Sequence, residues 1–143
     1  MNINTNPQDL FKILDYINDP TYKLYISGLL ISDNSDAIIN ECPHKFSVVS
    51  IEENTTKQDF FNSLKQAFLN KNWICFNFKT NTIPSFVEEQ LLRLTRSNEI
   101  YLDDLAFNAK LEDQARVFGV ISKENFASIN INLNQCFRLF NQA

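Results

Sequence analysis

The sequence predicts one α/β domain of two or three layers over residues 1–143, with a small, partly parallel sheet of four to five strands flanked by helices. Three observations lead to this prediction. Short runs rich in β-branched and aromatic residues alternate with longer stretches whose apolar residues recur at helical spacing. The intervening segments are long enough for the crossover connections that parallel strands require. No repeat, linker or low-complexity tract divides the chain.

The first predicted elements are a helix and a strand. Asn6-Pro7 is a favourable helix start, because asparagine caps helices and proline suits the first helical position. The helix is expected to end before Pro20. A strand follows over Tyr22–Ser32, and Gly28 within it indicates a bulge or a close backbone approach.

Two further strands enclose the best-defined helix of the chain. A short helix over Asp36–Glu41 precedes a strand over Phe46–Ile51. A longer helix then begins after Thr56, a capping residue, and places its apolar side chains on one face as far as Asn70. The run Trp73–Phe78 is short and strongly apolar, which is typical of a central strand.

The C-terminal half is less regular. A helix is predicted to begin at Ile83-Pro84, and residues 98–114 favour another helix. Arg116–Ser122 is a strand, and Ile129–Leu133 alternates as a strand would. The pattern of Gln135–Phe140 is compatible with a strand or a terminal helix.

Charge and hydropathy exclude several classes of partner. The net charge is −4 and the basic residues are scattered, whereas direct nucleic-acid binding usually needs a concentrated basic field. The longest apolar run, Leu24–Ile31, is much shorter than the ~18 residues of a membrane span. Because Met1–Leu10 also lacks the features of an export signal, we expect a soluble cytoplasmic protein without a membrane or nucleic-acid partner.

The cysteines agree with a cytoplasmic location. Their number is odd, and Cys75 and Cys136 lie inside apolar runs. This pattern predicts buried thiols rather than a disulfide framework.

No motif for a cofactor or a metal ion is present. The only glycines, Gly28 and Gly119, are far apart, and neither a Gly-Lys-Ser/Thr loop nor a Gly-x-Gly-x-x-Gly loop occurs. Asp33–Asp36 lacks the glycine and distal glutamate of a calcium loop. We therefore expect no cofactor, no metal ligand and no catalytic residue.

An alternative hypothesis is a small or degenerate enzyme. Cys42 would act as nucleophile with His44 as base, or carboxylates from different elements would converge. Adjacent acidic residues occur at four places, but neighbours in sequence do not share a helix face. These four pairs are Glu52-Glu53, Glu88-Glu89, Asp103-Asp104 and Glu112-Asp113.

The best candidate for a functional surface is a stretch in which acidic and aromatic residues are interleaved. We call it the acidic-aromatic stretch; its members are Glu99, Tyr101, Asp103, Asp104, Phe107, Glu112 and Asp113. Carboxylates steer a basic partner and aromatic rings anchor it. The main hypothesis is therefore a non-catalytic interaction module, such as an adaptor, inhibitor or immunity-type binder, whose partner is a protein with a basic surface.

A third hypothesis is a subunit of a larger intracellular assembly. Either Tyr22–Ile31 or the C-terminal run would then offer an exposed strand edge for pairing. The sequence leaves the strand order and the oligomeric state open.

Overall fold

The computed structural model describes residues 3–5, 11–12, 27–112 and 115–142. The helices and strands follow one another as β1 (Ile3–Thr5), β2 (Gly28–Ile31), α1 (Ser35–Asn40), β3 (Phe46–Ile51), α2 (Lys57–Asn70), β4 (Trp73–Phe78), α3 (Ser85–Ser97), β5 (Glu99–Leu102), β6 (Phe107–Lys110), β7 (Val117–Ile121), α4 (Lys123–Ala127) and β8 (Arg138–Gln142). Short 3-10 turns occupy Asp103–Leu105 and Leu133–Gln135.

The main sheet has the strand order β1-β8-β2-β7-β4-β3, and every neighbouring pair is parallel. This confirms the predicted α/β class. The sheet has five longer strands and the three-residue β1 at one edge. All six residues of β4 are buried, as a strand covered on both faces requires.

Helices cover the two faces of the sheet, which gives three layers. On one face, α2 and α3 pack in a single cluster with Leu29, Val49 and Phe76. On the other face, Ile38 and Ile39 of α1 pack on Leu30, Val120 and their neighbours. No helix in the described ranges has the length and apolar character of a membrane span.

Residues 98–110 form a β-hairpin, so the helix predicted there is wrong. β5 and β6 pair antiparallel, with Leu102 opposite Phe107. Ile100 and Leu102 are fully buried, while Tyr101 between them is exposed. This alternation buries one side of a strand against α3 and cannot be achieved by a helix, whose buried positions recur every three or four residues.

Of the other local predictions, some are confirmed, some are wrong and some lie outside the described residues. The predicted strand at Ile129–Leu133 is absent from the described residues, and a 3-10 turn begins at Leu133 instead. The C-terminal run is the strand β8. Gly28 pairs regularly on both sides, so no bulge occurs there. Of the predicted first helix only Phe11 and Lys12 are described, and both are helical; residues 22–26 of the predicted first strand lie outside the described ranges.

β2 and β8, the described strands of the two segments predicted to offer an exposed edge, are both internal. β2 lies between β8 and β7, and β8 lies between β1 and β2. The hydrogen-bonding groups of each are therefore used on two sides. The edges of the described sheet are β1 and β3 instead.

Candidate interaction groove

A groove of about 350 Å³ lies where α2, α3 and β5 meet, and we call it the hairpin groove. Its walls carry the aromatic rings of Phe61, Phe86 and Tyr101. Charged groups of both signs lie between these rings. They are Lys57, Glu89, Arg93 and Asp103.

One face of α3 supplies most of the wall. Phe86, Glu89, Gln90 and Arg93 are spaced at i, i+3, i+4 and i+7, which places them side by side on the helix. The first turn of α2 contributes Lys57. The helix begins there because the Thr56 side chain accepts a hydrogen bond from the Asp59 backbone N–H at 3.1 Å.

Gln90 fixes the strand that forms the opposite wall. Its side-chain amide donates to the Tyr101 carbonyl at 2.8 Å and accepts from the Tyr101 N–H at 3.1 Å. Gln90 is only 3% exposed, so the glutamine takes the place that a neighbouring strand would occupy. Its one sequence signal is a polar residue on the apolar face formed by Val87, Leu91 and Leu94.

Lys57 is held between two carboxylates and a ring. Its Nζ lies 3.2 Å from Asp104 Oδ2 and 3.8 Å from Asp103 Oδ1. The same Nζ lies 5.2 Å from the centre of the Phe61 ring. The hydrogen bond to Asp104 is the main reason that the pKa of Lys57 is raised, and nearby negative charges add to it. The amine therefore stays protonated throughout the neutral range.

Arg93 and Tyr101 form the other end of the groove. The guanidinium carbon of Arg93 lies 5.7 Å from the centre of the Tyr101 ring, within the range of a cation–π contact. Arg93 Nη2 is 3.9 Å from Glu89 Oε1, one helical turn away. Tyr101 is nevertheless 46% exposed, so its ring is accessible to another molecule.

The structure brings only part of the acidic-aromatic stretch to this groove. Tyr101 and Asp103 line it, and Asp104 adjoins it through Lys57. Glu99 instead pairs with Lys110 across the hairpin at 3.4 Å.

The remaining described members of the acidic-aromatic stretch also meet cations of this chain. Phe107 lies under the Lys65 amine, 5.3 Å from the ring centre. Glu112 lies 3.9 Å from Lys71, and Asp113 is outside the described residues. The stretch is therefore not a uniform acidic surface. Lys110 comes from the hairpin itself, whereas Lys57, Lys65 and Lys71 come from α2 and the residue that ends it. The local sequence does not indicate these last three.

Of the residues of the enzymatic alternative, Cys42 and His44 do not line the hairpin groove, whereas Glu89 and Asp103, from two of the acidic pairs, do. The His44 ring stacks on Trp73 at 4.3 Å between ring centres. Cys75 and Cys136 are buried thiols, as predicted. Burial raises the pKa of both, that of Cys136 to about 11. Within the part of the chain that the structure describes, no three His, Cys, Asp or Glu side chains are arranged to hold a metal ion.

β2 and β7 are neighbouring strands whose outgoing connections run to opposite faces of the sheet. Their carboxyl ends therefore form a topological switch point. The connection after β2 carries α1 on one face, whereas Phe126 of α4, after β7, packs against the cluster on the other face. Doubly wound sheets commonly bind ligands at such a point.

In this protein, hydrogen bonds connect the chain segments that leave β2 and β7 at the switch point. The Ser32 N–H donates to the Ile121 carbonyl at 2.8 Å, and Asp33 Oδ1 accepts from the Lys123 N–H at 3.1 Å. Only residues 32–34 separate β2 from α1, and none of them is glycine. A phosphate-binding loop at this position would need backbone N–H groups that donate to the phosphate. The carboxylate of Asp33 lies there instead.

Fold and groove together define a three-layer α/β protein with an added β-hairpin and an aromatic groove of mixed charge. Comparison of the sequence with models of known protein families and with curated proteins finds no match.

Proposed function

We propose that the chain is a non-catalytic interaction module that holds a basic side chain of a partner protein in the hairpin groove. It would act as an adaptor, inhibitor or immunity-type binder in the cytoplasm. The observation that carries the proposal is an accessible tyrosine ring, on a strand fixed by Gln90, beside a cluster of carboxylates.

The charge balance of the groove favours a cation. The lining itself carries the carboxylates of Glu89 and Asp103 and the cations Lys57 and Arg93. Asp104, which adjoins the groove through Lys57, adds a third carboxylate, so the local excess is one negative charge when it is counted. An entering guanidinium or ammonium group would gain from this excess and from the aromatic walls.

The groove is also preorganised. Two hydrogen bonds fix the backbone of Tyr101, and two carboxylates hold the amine of Lys57. Little further ordering is therefore needed when a partner binds, which lowers the entropic cost of association.

The charge state of Lys57 favours ion pairing over catalysis by this amine. The pKa of Lys57 is raised, chiefly by its hydrogen bond to Asp104. A catalytic base or amine nucleophile needs the opposite shift to be unprotonated near neutral pH.

A titration with a defined peptide tests the proposal. The probe is the capped tripeptide Gly-Arg-Gly, added to the full ¹⁵N-labelled chain. We expect saturable shifts at the Tyr101 amide and the Gln90 side-chain amide, with a dissociation constant on the order of 1 mM because the ligand is small. The capped tripeptide Gly-Glu-Gly should produce no such shifts.

Two matched variants make the test specific. Glu89→Lys should abolish the shifts, because it turns the local charge excess positive. Glu124→Lys makes the same change in net charge on a residue that does not line the groove, and it should bind the peptide as the wild type does. Equal shifts with both tripeptides, or equal loss in both variants, would refute the proposal.

A further inference from the structure

The edge strand β3 presents a row of backbone hydrogen-bonding groups that pair with no strand among the described residues. The Trp73 N–H donates to the Lys45 carbonyl at 3.1 Å, and the Lys79 N–H donates to the Ile51 carbonyl at 2.8 Å. Odd-numbered residues of β3 therefore face β4. Because the direction alternates along a strand, the N–H and C=O groups of Phe46, Val48 and Ser50 point away from the sheet.

This edge lacks the features that normally prevent pairing with another chain. Pairing with β4 is continuous from Phe46 to Ile51, so no bulge turns the edge away. The strand contains neither proline nor a charged residue, although such residues are the usual protection. Val48 is 42% exposed, and among the described residues no partner covers the outward backbone groups.

The space beside β3 has room for another strand. A shallow groove of about 580 Å³ runs between β3 and α2. The helix lines it with uncharged side chains only, and the Asn70 amide donates to Ser47 Oγ at 3.1 Å. The lining residues of α2 are Asn62, Ser63, Gln66 and Asn70. A strand placed there would meet no uncompensated charge.

The charges at the two ends of β3 indicate which strand fits. Lys45 precedes the strand, and Glu52 and Glu53 follow it. Glu52 lies 3.8 Å from Lys79 of the same chain, so Glu53 provides the net negative charge at this end. An antiparallel copy of the same strand brings the basic end of one chain to the acidic end of the other. A parallel copy would place like charges side by side, which is unfavourable. The ends of β3 are therefore complementary to themselves.

We propose that β3 pairs antiparallel with β3 of a second copy of this chain, about a two-fold axis at Val48. Each Val48 then lies opposite Val48 of the other copy, and Phe46 lies opposite Ser50. These pairs join outward N–H and C=O groups on both sides, as an isologous interface requires. The two sheets become one continuous sheet, and the hairpin groove does not take part.

Sedimentation equilibrium of the full chain, of one test variant and of one control variant tests this pairing. We expect the wild type to dimerise reversibly. Val48→Lys should raise the dissociation constant at least about tenfold, because it sets two ammonium groups opposite each other on the axis. Leu69→Lys is the matched control, since Leu69 is 54% exposed and does not line the groove, and it should dimerise as the wild type does.

A charge exchange provides a second, independent variant series. Lys45→Glu should weaken the dimer, and adding Glu53→Lys should restore it, because the pair is rebuilt across the axis. A wild type that remains monomeric at about 1 mM would overturn the proposal. So would a dimer that persists unchanged in Val48→Lys, since it would then use another surface.

Discussion

Gly119 occupies a point of β7 where the packing leaves no space for a side chain. A Cβ at this position would lie 2.8 Å from Leu29 Cδ1 and 3.1 Å from the Phe78 ring. We predict that Gly119→Ala lowers the free energy of unfolding by about 1–3 kcal/mol through overpacking, measured by urea denaturation. Adding Leu29→Val removes the closest atom and should recover part of the loss. Unchanged stability in Gly119→Ala would contradict this description of the core.

The two buried thiols predict a specific response to alkaline pH. The ordinary pKa of a cysteine is 9.0, whereas burial raises that of Cys136 to about 11 and also raises that of Cys75. Between these values the unfolded chain has lost the thiol proton and the folded chain has kept it. Stability therefore falls as pH rises above 9, because folding must take up protons.

This pH response is measured by urea denaturation at about pH 8 and about pH 10. The wild type should lose stability between the two. Cys136→Ala should lose less, since one of the two thiols no longer titrates. An identical pH dependence in both proteins would show that Cys136 does not contribute.

Predictions about single residues are confirmed where neighbours in the sequence alone determine the structure. Thr56 caps α2 because a threonine side chain can reach the N–H three residues on. Burial of Cys75 follows from its apolar neighbours. By contrast, a glycine in a strand indicates close packing without showing which glycine is involved. The structure shows such a close approach at Gly119, a position for which the sequence predicted none.

At the scale of elements, the docking of β5 on α3 depends on Gln90. We predict that Gln90→Ala costs about 1–3 kcal/mol, because the buried backbone groups of Tyr101 lose both partners. Hydrogen exchange of the Tyr101 amide should accelerate accordingly.

The variant Gln90→Glu keeps one of the two hydrogen bonds and removes the other. A carboxylate still accepts from the Tyr101 N–H, but it has no proton to donate to the Tyr101 carbonyl. Its Tyr101 amide should therefore remain better protected than in Gln90→Ala. Equal exchange rates in wild type and Gln90→Ala would contradict a structural role for this glutamine.

The hairpin shows why one element could not be predicted from sequence. Only Ile100 and Leu102 show the alternation of a strand, whereas helical spacing extends over a longer run of apolar residues, namely Leu102, Leu105, Ala106 and Ala109. The choice is made by contacts outside the segment, namely the cluster that buries Ile100 and Leu102 and the amide of Gln90. The helix α2, whose cap and apolar face are both local, was predicted correctly.

At the scale of the whole molecule, the α/β class was predictable and the strand order was not. Alternating strand and helix patterns report local periodicity, whereas the neighbours of each strand depend on contacts far apart in sequence. β2 is early in the chain yet internal in the sheet, and β3 is the exposed edge. The hypothesis of assembly through a strand edge therefore moves from β2 and β8 to β3.

At this scale, the net charge of the chain does not describe the surface of the acidic-aromatic stretch. The chain carries a net charge of −4, but the described carboxylates of the acidic-aromatic stretch lie beside lysines of this chain, as in the pairs Lys110–Glu99 and Lys71–Glu112. A broad acidic field cannot then select a partner. Selection would depend on the single excess charge of the hairpin groove and on its aromatic walls.

The most direct test of this interaction function is photo-crosslinking at position 101 in the native host. Tyr101 is replaced by a photoreactive phenylalanine analogue, and the same analogue is placed at Leu69 as the control. We predict a discrete adduct with a basic protein from position 101 only, and its loss when Glu89→Lys is added. No adduct at position 101, or the same adducts at both positions, would contradict a partner-binding role for the groove.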